Sequence, residues 1–340
     1  MSPSRPTFDT ADCHNGYMRI CVLDLGGMSF HLMHAMEIAP GDLTILDDVR
    51  LPTAIGQETM QTGVLAPNAY RAGLRDLEVL CQEIRSLAPD RIVAVATSAL
   101  RSASNSHAFI AEVQDRFGLS IEILSGEEEA MHCYRGAVSE LRAWSGSLAV
   151  VDLGGGSCEI AVGEGRHYQS SYSADIGVLP IKEAFDIRNK LSSDTADAIS
   201  QMVRLSLSSA PQSVLESVPD KLVFASGNGR AVYKLAASLF ETDLSGQLTL
   251  STLRKLQTLV IGRHPSEFVA HGLAPRRAEV VAIAVVVLVT IMTVLGCRRA
   301  DISRRGLREG IALDELASNR KSRTRHLHNT RTRLALQAKL

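Results

Sequence analysis

The stretch VLDLGGMSFHL at residues 22–32 reappears as VVDLGGGSCEI at residues 150–160, aligned without a gap at an offset of 128 residues. Six of the eleven positions are identical, and each copy reads as an apolar strand, an aspartate, a glycine-rich turn and a second strand. A repeated supersecondary unit at domain-sized separation indicates two related halves. The sequence therefore predicts an α/β chain of two similar domains that face each other across a cleft, with one glycine-rich turn on each wall.

The rest of the chain alternates short apolar runs with segments of helical period. Apolar runs predict strands over residues 19–25, 30–36, 91–96, 120–124, 148–153, 159–162 and 222–225. Helical spacing covers residues 68–87, Ser106 can cap a helix that ends at Gly118, and residues 182–256 are mostly helical in pattern. This alternation is typical of an α/β architecture.

Length and composition set the class of protein. The chain has 340 residues, 45% hydrophobic and 21% charged, which excludes disordered, collagen-like and disulfide-stapled proteins and suggests two domains. Its six cysteines include no CxxC pair, which is typical of thiols in a reducing compartment. The first 16 residues are polar and lack the basic and apolar regions of a signal peptide, so a cytoplasmic location is expected.

Charge is distributed unevenly along the chain. Residues 320–340 contain seven lysines and arginines and no acidic residue, which leaves 29 basic and 37 acidic residues elsewhere. A body this acidic is unsuited to general nucleic-acid binding, and a polyanionic substrate would need local donors and a metal ion. We expect residues 318–340 to form a basic, disordered tail, with contact to nucleic acid or an anionic partner as the alternative.

The run Val280–Cys297 is 18 residues long and carries no charge, which just reaches the length of a membrane span. Arginines on both flanks give no orientation bias. We therefore interpret the run as a helix buried in the core of an α/β domain, and we expect no membrane association.

The glycine-rich turns allow successive backbone N–H groups to point into one concavity, which makes an anion site. Each turn leads into a strand, so neither is a Walker A loop or a dinucleotide fingerprint, and a plain pair of tight hairpins is the structural alternative. Asp24 and Asp152 precede the turns, where carboxylates can hold Mg²⁺ against phosphates, and a hairpin would bring Glu159 close to Asp152. The candidate phosphate ligands in the turns are Gly26, Gly27, Ser29, Gly154, Gly155, Gly156 and Ser157.

The segment LSGEEEA at residues 124–130 marks the end of a strand and the start of a helix. Ser125 and Glu128 match the capping-box pattern, and acidic residues also suit the first turn of a helix. Glu129 is rotated by about 100° from Glu128 on a helix of 3.6 residues per turn, so it can face the cleft while Glu128 caps. A carboxylate beside a phosphate site and a metal can deprotonate an attacking water, which makes Glu129 the candidate base.

Two further polar segments follow predicted strands, where open α/β sheets carry ligand-binding loops. In TSALRSASN (97–105), Arg101 is a candidate phosphate clamp and Asn105 a second candidate ligand, with a surface arginine beside a helix cap as the alternative. SGNGR (226–230) is a third glycine-rich turn that offers Gly227 and Asn228, and alone it is a weak signal.

Taken together, these segments resemble the exopolyphosphatase/guanosine pentaphosphatase (Ppx/GppA) family of the actin-like ATPase superfamily. The matching segments are DLGGMSFHL (24–32), ATSALRSASN (96–105), SGEEEA (125–130), DLGGGSCEI (152–160), SGNG (226–229) and GLREG (306–310). Their order and spacing agree over roughly residues 19–317, and the pair SGxEEA with DxGGGSxE is specific. The resemblance implies two actin-like, ribonuclease H-like α/β domains, residues 17–127 with a returning helix at 307–317, and residues 128–306.

The resemblance also implies an activity, the hydrolysis of terminal phosphoanhydride bonds in inorganic polyphosphate or guanosine pentaphosphate with Mg²⁺, or alternatively Mn²⁺. By matching position, Glu129 would activate water, and Asp152, Glu159 and Asp24 would serve the metal site. The turn residues and Arg101 would hold phosphate.

Four positions depart from the family's usual motifs. Gly27 and Met28 replace a serine and an asparagine, and Cys158 and Asn228 each replace a threonine. Every acidic residue of the proposed chemistry is kept, and one lost donor costs only about 1–3 kcal/mol. We therefore expect an active hydrolase with a shifted substrate preference.

Two other function classes stay open. A non-catalytic protein that binds polyphosphate or an alarmone nucleotide would tolerate the altered turns, whereas an actin-like ATPase or sugar kinase shares both Asp-Gly turns but has no use for SGEEEA. The sequence does not separate polyphosphate from guanosine pentaphosphate, and it shows few clustered basic residues for a long polymer. A homodimer is compatible with the sequence, although no specific motif supports it.

Overall fold

Two β-sheets, one from each half of the chain, form the centres of two lobes in the computed structural model, which describes residues 18–141, 144–241 and 243–320. The strands of lobe I, in the order β3-β2-β1-β4-β5, are β1 (Arg19–Leu25), β2 (Phe30–Ala39), β3 (Asp42–Leu51), β4 (Arg91–Ala96) and β5 (Ile121–Ile123). The strands of lobe II, in the order β10-β11-β9-β6-β7-β8, are β6 (Ser147–Leu153), β7 (Cys158–Glu164), β8 (His167–Ala174), β9 (Lys221–Phe224), β10 (Gln247–Thr249) and β11 (Arg299–Ile302).

Helices cover both sheets. Those of the first half are α1 (Thr59–Thr62), α2 (Pro67–Leu87), α3 (Ser98–Ser102), α4 (Ser106–Phe117) and α5 (Gly126–Glu140). Those that follow are α6 (Val178–Ala184), α7 (Ser193–Leu207), α8 (Gln212–Leu215), α9 (Gly227–Leu239), α10 (Leu250–Val260), α11 (Pro265–Ala270), α12 (Pro275–Val294) and a last helix, α13, over residues 307–320.

The two sheets repeat one topology. In lobe I, β1 pairs antiparallel with β2 and parallel with β4, and in lobe II, β6 pairs antiparallel with β7 and parallel with β9. The hairpin register is also the same once the 128-residue offset is applied. Equivalent cross-strand pairs are Leu23 with Leu32 and Val151 with Ile160, then Asp24 with His31 and Asp152 with Glu159. The repeat in the sequence is therefore a repeat of structure, and the predicted two-domain α/β fold is confirmed.

Each sheet is buried on both faces. In lobe I, α2 and α4 pack on one face, and Leu307, Ile311 and Leu316 of α13 pack against Ile20 and Val22 on the other. In lobe II, α5 covers one face of the sheet, and the larger core with α7, α9, α10 and α12 lies on the other. The last helix of the described residues therefore returns to lobe I and joins the two lobes a second time.

Helix α12 lies at the centre of lobe II. It is the one helix of the described residues that is long and apolar enough to cross a membrane, and 78% of its most apolar window is buried inside the protein. A helix enclosed by other elements is apolar all round, which agrees with the prediction that Val280–Cys297 is a core segment.

Helices α5 and α13 cross at a point of backbone contact. A Cβ atom placed on Gly136 would lie 1.8 Å from the carbonyl oxygen of Gly306, and one on Gly310 would lie 1.8 Å from that of His132. Glycine at both helices is therefore what allows the crossing. It brings the GLREG segment to the edge of the cleft between the lobes.

Several elements differ from the sequence-based predictions. The strands β3, β8, β10 and β11 were not predicted, and the predicted loop 97–105 contains the short helix α3. Residues 318–320 of the predicted tail belong to α13, and residues 321–340, like residues 1–17, lie outside the described part of the chain.

Candidate active site

The two glycine-rich turns face each other across the cleft between the lobes and border a cavity of about 350 Å³. They approach so closely that a Cβ atom on Gly155 would lie 2.8 Å from Cγ of Met28 in the opposite turn. The second turn is closed by a 2.9 Å hydrogen bond from the Gly154 N–H to the Ser157 carbonyl. The predicted site residues that line this cavity are Asp24, Gly26, Gly27, Ser29, Glu129, Asp152, Gly154, Gly155, Ser157, Gly227 and Asn228.

The start of α5 separates two adjacent glutamates into two positions. The Glu128 carboxylate accepts from the Ser125 N–H at 2.8 Å, and the Ser125 hydroxyl accepts from the Glu128 N–H, which forms the predicted capping box. The next residue, Glu129, lies on the cleft side of the helix and is only 6% exposed. The Glu128 side chain therefore caps the helix terminus, whereas the Glu129 side chain lines the cavity.

Glu129 lies in an environment that resists ionisation. Burial raises the pKa of its carboxyl well above the ordinary value, and the negative charge of Glu159 adds to this shift. Arg101 opposes it, because its guanidinium lies 3.2 Å from Glu129 Oε2. A buried carboxylate of raised pKa holds a proton well, which is the property that a general base requires.

Asp152 and Glu159 lie opposite each other on β6 and β7. The Cys133 thiol of α5 donates to Asp152 Oδ2 at 3.0 Å, and the Ser173 hydroxyl donates to Glu159 Oε1 at 2.9 Å. The other oxygen of Glu159, Oε2, is buried without a hydrogen-bond partner. Burial, together with the charge of Asp152, raises the pKa of Glu159 to about 8, and burial also raises the pKa of Asp152.

Asp24 and His31 occupy the equivalent positions in lobe I. Asp24 Oδ2 lies 3.6 Å from Arg308 of the GLREG segment, and its Oδ1 has no partner. Burial raises the pKa of Asp24 to about 6 despite that arginine. Both ring nitrogens of His31 are also buried and unpartnered, and burial with the surrounding arginines lowers the pKa of this imidazole to about 2.

This donor set fits Mg²⁺. Buried carboxylate oxygens without partners, Glu159 Oε2 and Asp24 Oδ1, are the hard ligands that this ion prefers. Within the described residues no three His, Cys, Asp or Glu side chains converge as a complete metal cage. Mg²⁺ is commonly bound through one or two carboxylates, with water and substrate phosphate completing the shell, so a partial set is what such a site requires.

Some predicted ligands are not part of the cavity lining. Glu159 is buried next to the lining residue Asp152, its partner across the hairpin, and the guanidinium of Arg101 donates to Glu129 and to the Leu124 carbonyl instead of lining the cavity. The prediction for Asn105 is not supported, because its side chain accepts from the Leu65 N–H at 2.8 Å and donates to the Leu65 carbonyl at 3.1 Å. Gly156 packs against Gly177, where a Cβ atom would lie 2.3 Å from the Gly156 carbonyl carbon.

Asn228 forms hydrogen bonds with the second glycine-rich turn and with an arginine. Its Nδ2 donates to the Leu153 carbonyl at 2.8 Å and to the Gly154 carbonyl at 3.2 Å. Its Oδ1 accepts from Arg277, which also lies 3.8 Å from the Met28 sulfur. Two of the residues that depart from the usual motifs, Met28 and Asn228, therefore meet at one guanidinium.

A group of cations around the cavity was not predicted from the sequence. Its members are Arg50, Arg230, Lys234, Arg277, Arg304 and Arg308. Among the described residues, only Arg308 of these six forms an ion pair. The side-chain hydrogen bonds that the structure shows for the others go to uncharged groups. Arg50 donates to the Ser29 hydroxyl, and Arg230 donates to the Ser303 carbonyl. The one local signal was the four-residue spacing of 230 and 234, which places both residues on one side of α9.

These cations repel one another, and among the described residues only Arg308 has a carboxylate partner, Asp24. Burial, together with the charges of Arg50 and Arg230, lowers the pKa of Arg277 to about 9. A buried guanidinium without a carboxylate partner is costly unless an anion compensates it. The cavity therefore carries positive charge suited to a multivalent anion, beside carboxylates suited to a cation.

The duplicated sheets carry two opposed glycine-rich turns, and the cleft between them combines carboxylates with arginines, an arrangement that suits a ligand bearing phosphate. The model of the Ppx/GppA phosphatase family matches residues 34–319, so the chain belongs to that family and is a phosphatase. The match begins after the first turn, and the altered positions Gly27 and Met28 therefore lie outside the matched range.

Solved structures share the whole fold. The Aquifex aeolicus member of the Ppx/GppA family is 24% identical, with a TM-score of 0.73 over 89% of this chain and 99% of that chain. An exopolyphosphatase from Cytophaga hutchinsonii is 21% identical, with a TM-score of 0.79 over 87% of this chain and 98% of that chain. At these identities the likeness concerns the fold.

Proposed function

We propose that this phosphatase hydrolyses the terminal phosphoanhydride bond of inorganic polyphosphate or of guanosine pentaphosphate and releases orthophosphate. The observation that carries the proposal is the position of Glu129, a buried carboxylate at a cavity whose other walls are two glycine-rich turns and six cations. Such a cavity attracts a chain of phosphates and offers a base beside it.

Substrate binding falls to the turns and the arginines. Backbone N–H groups of the turns at 26–29 and 154–157 can surround the terminal phosphate, and the hydroxyls of Ser29 and Ser157 add donors. The guanidinium groups of Arg50, Arg230 and Arg277 lie around the same cavity and suit the following phosphates. Substrate phosphates would replace the missing counter-charges, which would strengthen binding.

Glu129 would take the proton from the attacking water. Proton transfer to a positioned carboxylate contributes about 10²–10⁴-fold to a rate. The Arg101 guanidinium would keep a fraction of Glu129 ionised in spite of its burial, and it would also fix the orientation of the carboxylate. Arg101 is thus a positioning residue in this proposal.

The residues that would hold Mg²⁺, or Mn²⁺, are Asp152 and Glu159, with Asp24 on the opposite wall. When bound, the ion would neutralise charge on the phosphates and polarise the bond that is cleaved. Cys133 and Ser173 would orient the two carboxylates of lobe II through the hydrogen bonds given above.

The test is orthophosphate release from long-chain polyphosphate and from guanosine pentaphosphate, with Mg²⁺ and with EDTA. We expect Glu129→Gln to lower kcat by about 10²–10⁴-fold. The matched control is Glu128→Gln, the adjacent carboxylate that caps the helix and should leave kcat within a few-fold. Folded protein that binds these ligands but releases no phosphate would instead establish a binding protein.

A further inference from the structure

A second basic groove lies on lobe II, apart from the cavity between the lobes. It has a volume of about 630 Å³ and is bordered by the start of α10 and the start of β11. Its charged lining consists of Arg254, Lys255, Arg298 and Arg299, with the hydroxyls of Ser251 and Thr258 beside them. Among the residues that the structure describes, no acidic side chain lines it.

The groove is at the far end of the sheet from the cleft. Thr249 at its edge pairs with Arg299 at the first residue of β11, whereas the last residue of β11 leads into Ser303 and Arg304 at the cleft. A strand of four residues is roughly 13 Å long. A ligand in the cleft therefore reaches the groove only if it continues for more than that distance.

The four cations have no internal partners. Among the described residues none of them forms an ion pair, although nearby Lys221 pairs with Asp301 and Arg263 with Glu267. The chain outside its last 21 residues is acidic, with 29 basic and 37 acidic residues. A local group of four unpaired positive charges on such a body is a site for a multivalent anion.

The lining indicates which anion. Proteins that bind single-stranded nucleic acid combine basic grooves with aromatic side chains on which bases stack, and this groove has none. Its only large apolar side chain is Leu250, which is too little for a membrane surface. Guanidinium, ammonium and hydroxyl groups suit phosphate oxygens, so a phosphate chain without bases is the ligand that fits.

We propose that this groove is a second binding site for inorganic polyphosphate, which holds the distal part of a chain whose end lies in the cleft. The role in turnover rests on the proposed function, whereas binding at the groove does not. Only chains that span both places gain from the second site, so the groove would favour long chains over short ones.

The binding test compares long-chain polyphosphate with tripolyphosphate in EDTA, which removes the metal ion that the proposed reaction requires. The groove variant is R254Q/K255Q/R298Q/R299Q, and the matched control, R71Q/R75Q/R85Q/R204Q, removes four exposed arginines elsewhere. We expect the groove variant to raise the Kd for long chains by about tenfold or more and to flatten its dependence on salt. Its Kd for tripolyphosphate should stay within twofold, and unchanged thermal unfolding would show that it is folded.

Equal weakening by the control variant, or equal weakening for both ligands, would overturn the proposal. An oligonucleotide that binds the groove more tightly than polyphosphate of equal charge would also overturn it, in favour of nucleic acid. The two proposals fail differently. Without the proposed function, long chains still bind the groove but no phosphate is released. Without the groove site, the groove variant hydrolyses long chains with an unchanged KM.

Discussion

Around Glu129, three neighbours decide the state of one proton. Burial and the negative charges of Glu159 and Asp152 favour the protonated carboxyl, and the guanidinium of Arg101 favours the carboxylate. A general base works only when ionised, so the proposed reaction should fall off at low pH as Glu129 becomes protonated. The position of this acidic limb reports the balance among the three neighbours.

Arg101→Met tests that balance. Removing the positive charge raises the pKa of Glu129 further, so the acidic limb of kcat/KM against pH should move to higher pH. Arg116→Met, which removes an arginine that pairs with the exposed Glu112, is the control and should leave the limb in place. A uniform loss of rate at every pH, with the limb unmoved, would show that Arg101 acts on the substrate instead.

A second prediction concerns Cys133 and the proposed metal ligand Asp152. Its thiol donates to Asp152, and the loss of such a contact behind a metal ligand typically costs 10–100-fold in metal affinity. We expect Cys133→Ala to raise the Mg²⁺ concentration for half-maximal activity by about tenfold, and Cys133→Ser to restore most of the loss because a hydroxyl also donates. Cys81→Ala, at a buried cysteine in the core of lobe I, is the control. Equal Mg²⁺ responses in the two alanine variants would contradict the assignment.

Single residues could be predicted from sequence only where local rules apply. The division between Glu128 and Glu129 follows from helix geometry and the capping box, and the sequence placed both correctly. Met28 and Arg277 are 249 residues apart and meet only in the fold, so no local pattern joins them. The group of cations around the cavity was not predicted for the same reason, because most of its members are far apart in the sequence. The chain as a whole also has slightly more acidic than basic residues, so its composition gave no sign of the group.

Among the elements, most interior strands were predicted and three of the four edge strands, β3, β8 and β10, were not; the exceptions are the edge strand β5, which was predicted, and the interior strand β11, which was not. The strand β1 lies inside its sheet, is buried over most of its length, and reads as an apolar run. The edge strands β3 and β8 have half-exposed sequences, DLTILDDVRL and HYQSSYSA, in which polar residues interrupt the pattern. Polar edges discourage pairing with other chains, which is also why they give a weak sequence signal.

The close crossing of helices α5 and α13 predicts the effect of a substitution at Gly136 on stability. A methyl group on Gly136 would meet the Gly306 carbonyl oxygen at 1.8 Å, so Gly136→Ala must push the two helices apart. Overpacking of this kind typically costs about 1–3 kcal/mol, and we expect the urea midpoint of unfolding to fall accordingly. Because Arg308 lies in the first turn of α13, activity should fall as well. An unchanged midpoint would mean that the helices separate without cost.

At the scale of the whole molecule, the two sides of the cleft are joined unequally. On one side, the polypeptide chain passes between the lobes at α5 and at α13, and these two helices are closely packed. On the other, the contacts are few side-chain interactions, such as Arg276 with the Pro52 carbonyl and the 3.3 Å contact from the Glu58 N–H to Glu183. This arrangement suits closure about the first side when a ligand fills the cleft.

The cleft also makes the stability of the whole molecule depend on pH and metal. The folded state raises the pKa of Glu159 from 4.5 to about 8 and that of Asp24 from 3.8 to about 6, chiefly by burial. Between the ordinary and the raised values the folded protein binds more protons than the unfolded chain, so these groups make stability fall as pH rises through that interval.

In EDTA, we therefore expect Tm to fall between about pH 5 and about pH 8, and Glu159→Gln to reduce that fall because the amide does not ionise. Mg²⁺ binds the ionised carboxylates of the folded protein, so it should raise Tm more at about pH 8 than at about pH 5. Glu122→Gln, at an exposed carboxylate of lobe I, is the matched control and should leave the pH dependence as it is. A Tm that rises with pH in EDTA and is equally steep in Glu159→Gln would show that the carboxylates of the cleft carry no such strain. The proposed metal site would then lose the physical reason for its affinity, because a cation binds most strongly where buried negative charge has no other compensation.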